Sequence, residues 1–192
     1  MTLYATLTAG RGHSLLRDTL IVVLASILLA LSAKAAVPFF PVPMTMQTLV
    51  VVGLGLALGS RLAVLSVLLY LVEGAAGLPV FTGTPEKGIG IAYMMGPTGG
   101  FLIGFVLAAG LTGWLAERGW DRNVIMAFLA ALAGTAILYV PGLLWLGGLV
   151  GWDKPVLAWG LYPFVLGDLT KAALAALIFP AAWKFLQSRG AI

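Results

Sequence analysis

The chain has 192 residues, of which 61% are hydrophobic and 9% charged, with a net charge of +4 and no cysteine. A mean hydropathy of +1.06 excludes an ordinary soluble domain, and the missing cysteines exclude a disulfide framework and thiolate chemistry. The small basic excess is scattered over segment ends, as in a membrane protein, and does not form a nucleic-acid-binding patch.

The apolar stretches are continuous Leu/Ala/Val/Ile blocks, whereas barrel strands would alternate apolar and polar residues. Only helices and closed barrels satisfy their backbones in lipid. The expected fold is therefore an all-α integral membrane protein, a single membrane domain over 1–192 behind a short polar tail of about residues 1–17. The first apolar run, about 20–36, follows Arg11, His13 and Arg17, and Ala33-Lys34-Ala35 has the small-residue pattern of a signal-peptidase site. A cleaved leader and a first membrane helix share these features; the polytopic remainder favours the helix. His13, alone in the tail, is no metal ligand. Ser26, Ala30 and Ala33 form a stripe of small residues on this helix. Two uses are open for it, packing within the bundle or docking a second membrane protein.

Pro38, Pro41 and Pro43 lie within six residues and predict a stiff loop, since each lacks a backbone donor and restricts its neighbour. Runs at about 47–58 and 62–72 follow, both shorter than the ~20 residues of a simple span. A glycine-rich loop over 74–96 contains Glu73 at its edge and Glu86 and Lys87 within it. Pro97 opens a helix of about 98–115, followed by one of 123–146 interrupted by Pro141 and a loop of 147–155. A last helix over 157–186 has room for a bend near Pro163 or Pro180. Six helices result. With the N-terminus in the cytoplasm, Arg11, Arg17, Arg61, Arg118, Arg122, Lys184 and Arg189 fall inside, and Lys34, Lys87 and Lys154 outside. That bias predicts cytoplasmic termini. Gly55/Gly59 and Gly100/Gly104 have the spacing that lets helices approach closely.

The strongest chemical feature is Asp168 and Lys171 in the last apolar segment. A charge at a helix centre in lipid costs ~2.5–3.5 kcal/mol on insertion scales, and residues three apart share a helical face. Two readings are open, a salt bridge joining helices and a polar ligand site facing the bundle interior. The segments 77–83 and 96–101 offer backbone groups to a ligand, or simply connect helices. The sequence has no phosphate-binding loop, no nucleophile–base pair and no cluster of metal ligands, so neither catalysis nor a bound cofactor is expected.

Four motifs occur in order: Pro41-Val42-Pro43-Met44-Thr45-Met46-Gln47, Gly77-Leu78-Pro79-Val80-Phe81, Gly96-Pro97-Thr98-Gly99-Gly100-Phe101-Leu102 and Gly167-Asp168-Leu169-Thr170-Lys171-Ala172. Together they resemble the BioY family, the biotin-binding S components of energy-coupling-factor transporters. The resemblance implies high-affinity biotin uptake across the inner membrane of a bacterium. It also implies six membrane helices, and as partners a T-component membrane protein and ATPase subunits, although some relatives are thought to act alone. It points to Asp168 and Lys171 as the site pair and, less directly, to Lys87. Biotin would then present its ureido N–H groups to Asp168, its apolar ring and tail to Phe81, Tyr93 and Met94, and its carboxylate to Lys87. An ion-coupled carrier of biotin or a related vitamin is the alternative function, and a ligand-free structural subunit a third.

Overall fold

Lipid leaves the backbone no partner but itself, and the apolar runs accordingly close into helices. The computed structural model describes residues 1–9, 14–86 and 88–189. A short α1 (Leu3–Leu7) precedes α2 (Leu15–Lys34), which Ser14 caps by accepting from the Arg17 N–H at 3.4 Å. The proline stretch is spanned by a minimal antiparallel pair, β1 (Ala36–Val37) and β2 (Met44–Thr45), with Ala36 opposite Thr45. α3 (Gln47–Leu58) and α4 (Ser60–Ala75) meet at Gly59, whose φ of +86° suits a residue without Cβ. The loop beyond α4 contains a one-turn helix, α5 (Gly90–Met94), and leads into α6 (Gly99–Glu117). A 3-10 turn at Trp120–Arg122 joins α6 to α7 (Val124–Val150), which Asn123 caps and which runs through Pro141.

The expected single last helix is two. α8 (Val156–Gly160) ends at Leu161, and α9 (Tyr162–Ser188) begins with Pro163 in its first turn, where the missing N–H costs nothing; Pro180 lies inside α9. Among the described residues, four segments are long and apolar enough to cross a membrane: α2, α6, α7 and the combined Val156–Ser188. α3, with 12 residues, is only ~18 Å long.

α6 is the central helix. Two-thirds of its apolar span is buried inside the protein, against 22% for α2, and it packs on α7, α3 and α4. Its glycines make this possible. A Cβ at Gly100 would lie 2.3 Å from the Pro141 carbonyl oxygen, and one at Gly104 2.5 Å from that of Leu138. Gly55 in α3 similarly faces Thr112 of α6, while Gly59 serves the turn.

The stripe on α2 is used internally, contrary to the docking option. Ser26 and Ala33 are fully buried. The Ser26 hydroxyl donates to Glu73 Oε1 of α4 at 3.0 Å, and the Ala33 carbonyl accepts from Thr82 at 3.1 Å. Ala30 is half-buried against the core. The opposite face, with Leu24, Leu28 and Leu31, is exposed.

One end of the bundle gathers α1, the α3–α4 turn, the α6–α7 turn and the last turns of α9. Arg122 donates to the Met1 carbonyl at 3.3 Å, Trp183 Nε1 to Asp121 at 2.5 Å, and Ser60 N–H and hydroxyl to Glu117 at 2.8 and 2.7 Å. The β-pair, the α4–α6 loop and the first turns of α3 lie at the other end, where they surround the site.

Candidate ligand site

α9 places Asp168 and Lys171 one turn apart, both buried, with Lys171 Nζ donating to Asp168 Oδ1 at 3.0 Å. The first turn of α3 brings Thr48 between them. Its hydroxyl accepts from Lys171 at 2.8 Å and donates to Asp168 Oδ1 at 3.1 Å. From α7, the Tyr139 hydroxyl donates to Asp168 Oδ2. The carboxylate thus accepts three donors. Two carboxylate oxygens offer about four lone-pair positions, so a ligand N–H has room on this group without displacing its supports.

A second polar cluster faces the cavity from α3, α4 and the loop after it, and carries no charge. Gln47 Nε2 donates to the Tyr70 hydroxyl at 2.8 Å, and Thr82 donates to Gln47 Oε1 at 3.4 Å. Between the clusters the walls are apolar. Phe101, Leu102 and Phe105 come from α6, Leu138 from α7 and Phe164 from α9. Phe101 meets the Tyr139 ring edge-on at 6.1 Å. Phe81 stacks on Tyr93 with centroids 4.9 Å apart and meets Tyr70 edge-on at 5.4 Å. Gly74 permits this, since a Cβ there would sit 2.0 Å from the Phe81 ring. The Tyr93 hydroxyl is raised above its ordinary value by burial, and so stays a neutral donor. The lining residues surround about 570 Å³ of empty space, the open mouth of the cavity included.

Of the residues expected from sequence, Asp168, Lys171, Phe81 and Tyr93 line this one cavity. Met94 packs half-buried against the core beside it and is not among the lining residues. Lys87 lies outside the described residues. Thr48, Tyr139, Gln47, Tyr70 and Thr82 were missed. Gln47 and Thr48 did leave a signal: two polar side chains at the head of an apolar helix, directly after the proline motif, have to find partners in lipid. Tyr139, mid-way along an apolar helix, carried the same signal more weakly, because a hydroxyl costs far less there than a charge. Among the described residues no group of three metal-ligating side chains occurs.

The chain is similar to known proteins over most of its length. The model of a family described as the BioY family matches residues 5–188. A protein of Pyrococcus horikoshii named as a probable biotin transporter BioY is 38% identical, over 84% of this chain and 93% of its own length. The biotin transporter BioY of Rhodobacter capsulatus is 40% identical, over 83% and 89%. A 2.1 Å crystal structure of the S-component for biotin from an ECF-type ABC transporter shares the fold, with a TM-score of 0.76 at 23% identity over 90% of this chain and 95% of that one.

Proposed function

The chain belongs to the BioY family, and from that premise we propose that it captures biotin and passes it across the cytoplasmic membrane as the S component of an energy-coupling-factor transporter. The cavity carries this reading. It sets a buried carboxylate–ammonium pair and a neutral amide–hydroxyl cluster among aromatic walls. Biotin has a ureido ring with two N–H donors and one carbonyl, an apolar thioether ring and tail, and a carboxylate. Asp168 accepts from the ureido ring, and the aromatic walls cover the apolar parts. Lys87, assigned by family resemblance, neutralises the carboxylate; Lys87→Gln then weakens biotin more than an uncharged biotin amide, and equal losses would remove that role.

The function is transport rather than catalysis, in keeping with the relatives' names. We infer six crossings, with the short α3 and α4 completing the set and both termini in the cytoplasm. Two observations support this. Met1 and the last turns of α9 reach the same α6–α7 turn, which requires an even number of crossings, and the basic residues favour that end seven to three. By family resemblance, driving energy comes from partner ATPases through a T component. A T component that docks on α2 meets the exposed Leu24, Leu28 and Leu31 together with the rim of Ala30, not Ser26 or Ala33.

Equilibrium binding of labelled biotin to the purified chain tests the reading. One site per chain is expected. Asp168→Ala lowers affinity at least about tenfold, since losing a charged hydrogen-bond partner costs ~1.5–3 kcal/mol. A parent chain that binds no biotin overturns the function; parent-like binding by both Asp168→Ala and Lys171→Ala overturns the site.

A further inference from the structure

We propose that Lys34, at the C-terminal end of α2, is a positioning residue that latches the 80–84 segment against the bundle and sets how long the ligand stays in the cavity. The proposal rests on the biotin reading above. The walls of the cavity differ in kind. α3, α6, α7 and α9 are packed helices, whereas Phe81 and Thr82 belong to a segment with neither helix nor strand. A wall of that type opens by breaking a few local contacts, while a helical wall moves only with the bundle.

The contacts that hold the segment come largely from the end of α2. Lys34 Nζ donates to the Phe81 carbonyl at 2.9 Å and to the Thr84 hydroxyl at 3.1 Å. The Thr82 hydroxyl donates to the carbonyl of the adjacent Ala33 at 3.1 Å. Tyr70 adds a longer contact to the Val80 carbonyl at 3.4 Å. Phe81 is the residue so fixed, and its fully buried ring completes the stack with Tyr93 on the cavity side.

A lysine in the last turn of a helix commonly serves its own helix, by favourable interaction with the C-terminal dipole. Here the ammonium reaches 47 residues forward to the cavity wall. Lys34 itself is exposed and does not line the cavity. It therefore acts on ligand through the backbone of Phe81, from behind the wall. Replacing it removes no ligand contact and no core packing.

The test is the dissociation rate of labelled biotin from the purified full chain, for the parent, Lys34→Met and Lys34→Arg. The expected result is a rise of about fivefold in the dissociation rate of Lys34→Met, from loss of charged hydrogen bonds at an exposed position. Its association rate is unchanged or faster, and its ligand-free melting temperature is unchanged. Lys34→Arg, which keeps a donor, lies near the parent. A dissociation rate equal to the parent's in Lys34→Met overturns the latch alone. So does a faster rate that comes with an equal loss of ligand-free stability and no rescue by arginine, which would mark a structural role. A parent that binds no biotin overturns the biotin reading and the latch with it.

Discussion

Asp168 and Lys171 were legible in the sequence because lipid makes them conspicuous. Ionisable side chains inside membrane helices are rare and by default mark a functional site. Their partners were less legible. Thr48 is 120 residues from Asp168 and Tyr139 is 29 away, and a hydroxyl in an apolar helix gives a far weaker signal than a charge. The pair has two roles that substitution separates. Removing one member leaves the other buried and uncompensated, a loss of ~3–5 kcal/mol in buried pairs, whereas apolar replacement of both is often neutral. Asp168→Leu alone is therefore expected to lower the melting temperature strongly, and Asp168→Leu/Lys171→Met to recover most of it, while neither binds biotin. Melting curves with and without biotin check this. A double variant no more stable than the single one would mean that the pair does not interact as the 3.0 Å contact implies.

At the scale of elements, helix positions followed from the apolar runs to within a few residues, because each run has no other way to satisfy its backbone in lipid. What failed was local. The break came at Leu161, two residues before Pro163, since proline has no N–H to give to a helix interior and is welcome in a first turn. The small-residue stripe on α2 gave spacing but not direction, and spacing alone cannot distinguish a partner helix from α4. The glycines of α6 were read correctly because two of them recur one turn apart, and the structure gives them a sharp test. Gly104→Ala would place its Cβ 2.5 Å from the Leu138 carbonyl oxygen, a backbone atom that cannot turn aside. It should force α6 and α7 apart and cost about 1–3 kcal/mol as overpacking. Because Tyr139 follows Leu138, biotin affinity falls too. Gly148→Ala in α7, where the added Cβ meets nothing within 4 Å, should be neutral or stabilising by up to ~1 kcal/mol through helix propensity. Thermal melts of the two variants decide the matter; equal effects would show that the α6–α7 seam is not held at glycine distance.

On the scale of the whole molecule, the two ends of the bundle do different work. The cavity end is built from loops, a β-pair and polar side chains. The opposite end is tied shut around Asp121, which is fully buried. One of its oxygens accepts from Trp183, and the other has no hydrogen-bond partner among the described residues. Arg122 stacks over the Trp183 ring at 4.5 Å and holds the Met1 carbonyl. A single turn thus joins the N-terminus, α6, α7 and α9. Burial raises the Asp121 carboxyl above its ordinary 3.8, against the lowering effects of the Trp183 hydrogen bond, of Arg122 and of the N-terminal amine. A group whose folded value is raised binds its proton more tightly in the native state. Its contribution to stability is full below 3.8 and is lost as pH rises through the folded value. As pH rises, ionisation leaves the junction with a buried carboxylate that has one oxygen unserved. Asp121→Asn keeps an acceptor for Trp183 and removes the charge. The variant should match the parent near about pH 4 and exceed it near about pH 7.5, by roughly 2–4 °C in melting temperature per kcal/mol recovered. The quantity to measure is the difference between variant and parent at each pH, which cancels the titration of every other group. A difference that stays constant across that range, or that grows toward acid, would show that Asp121 does not limit the stability of the closed end.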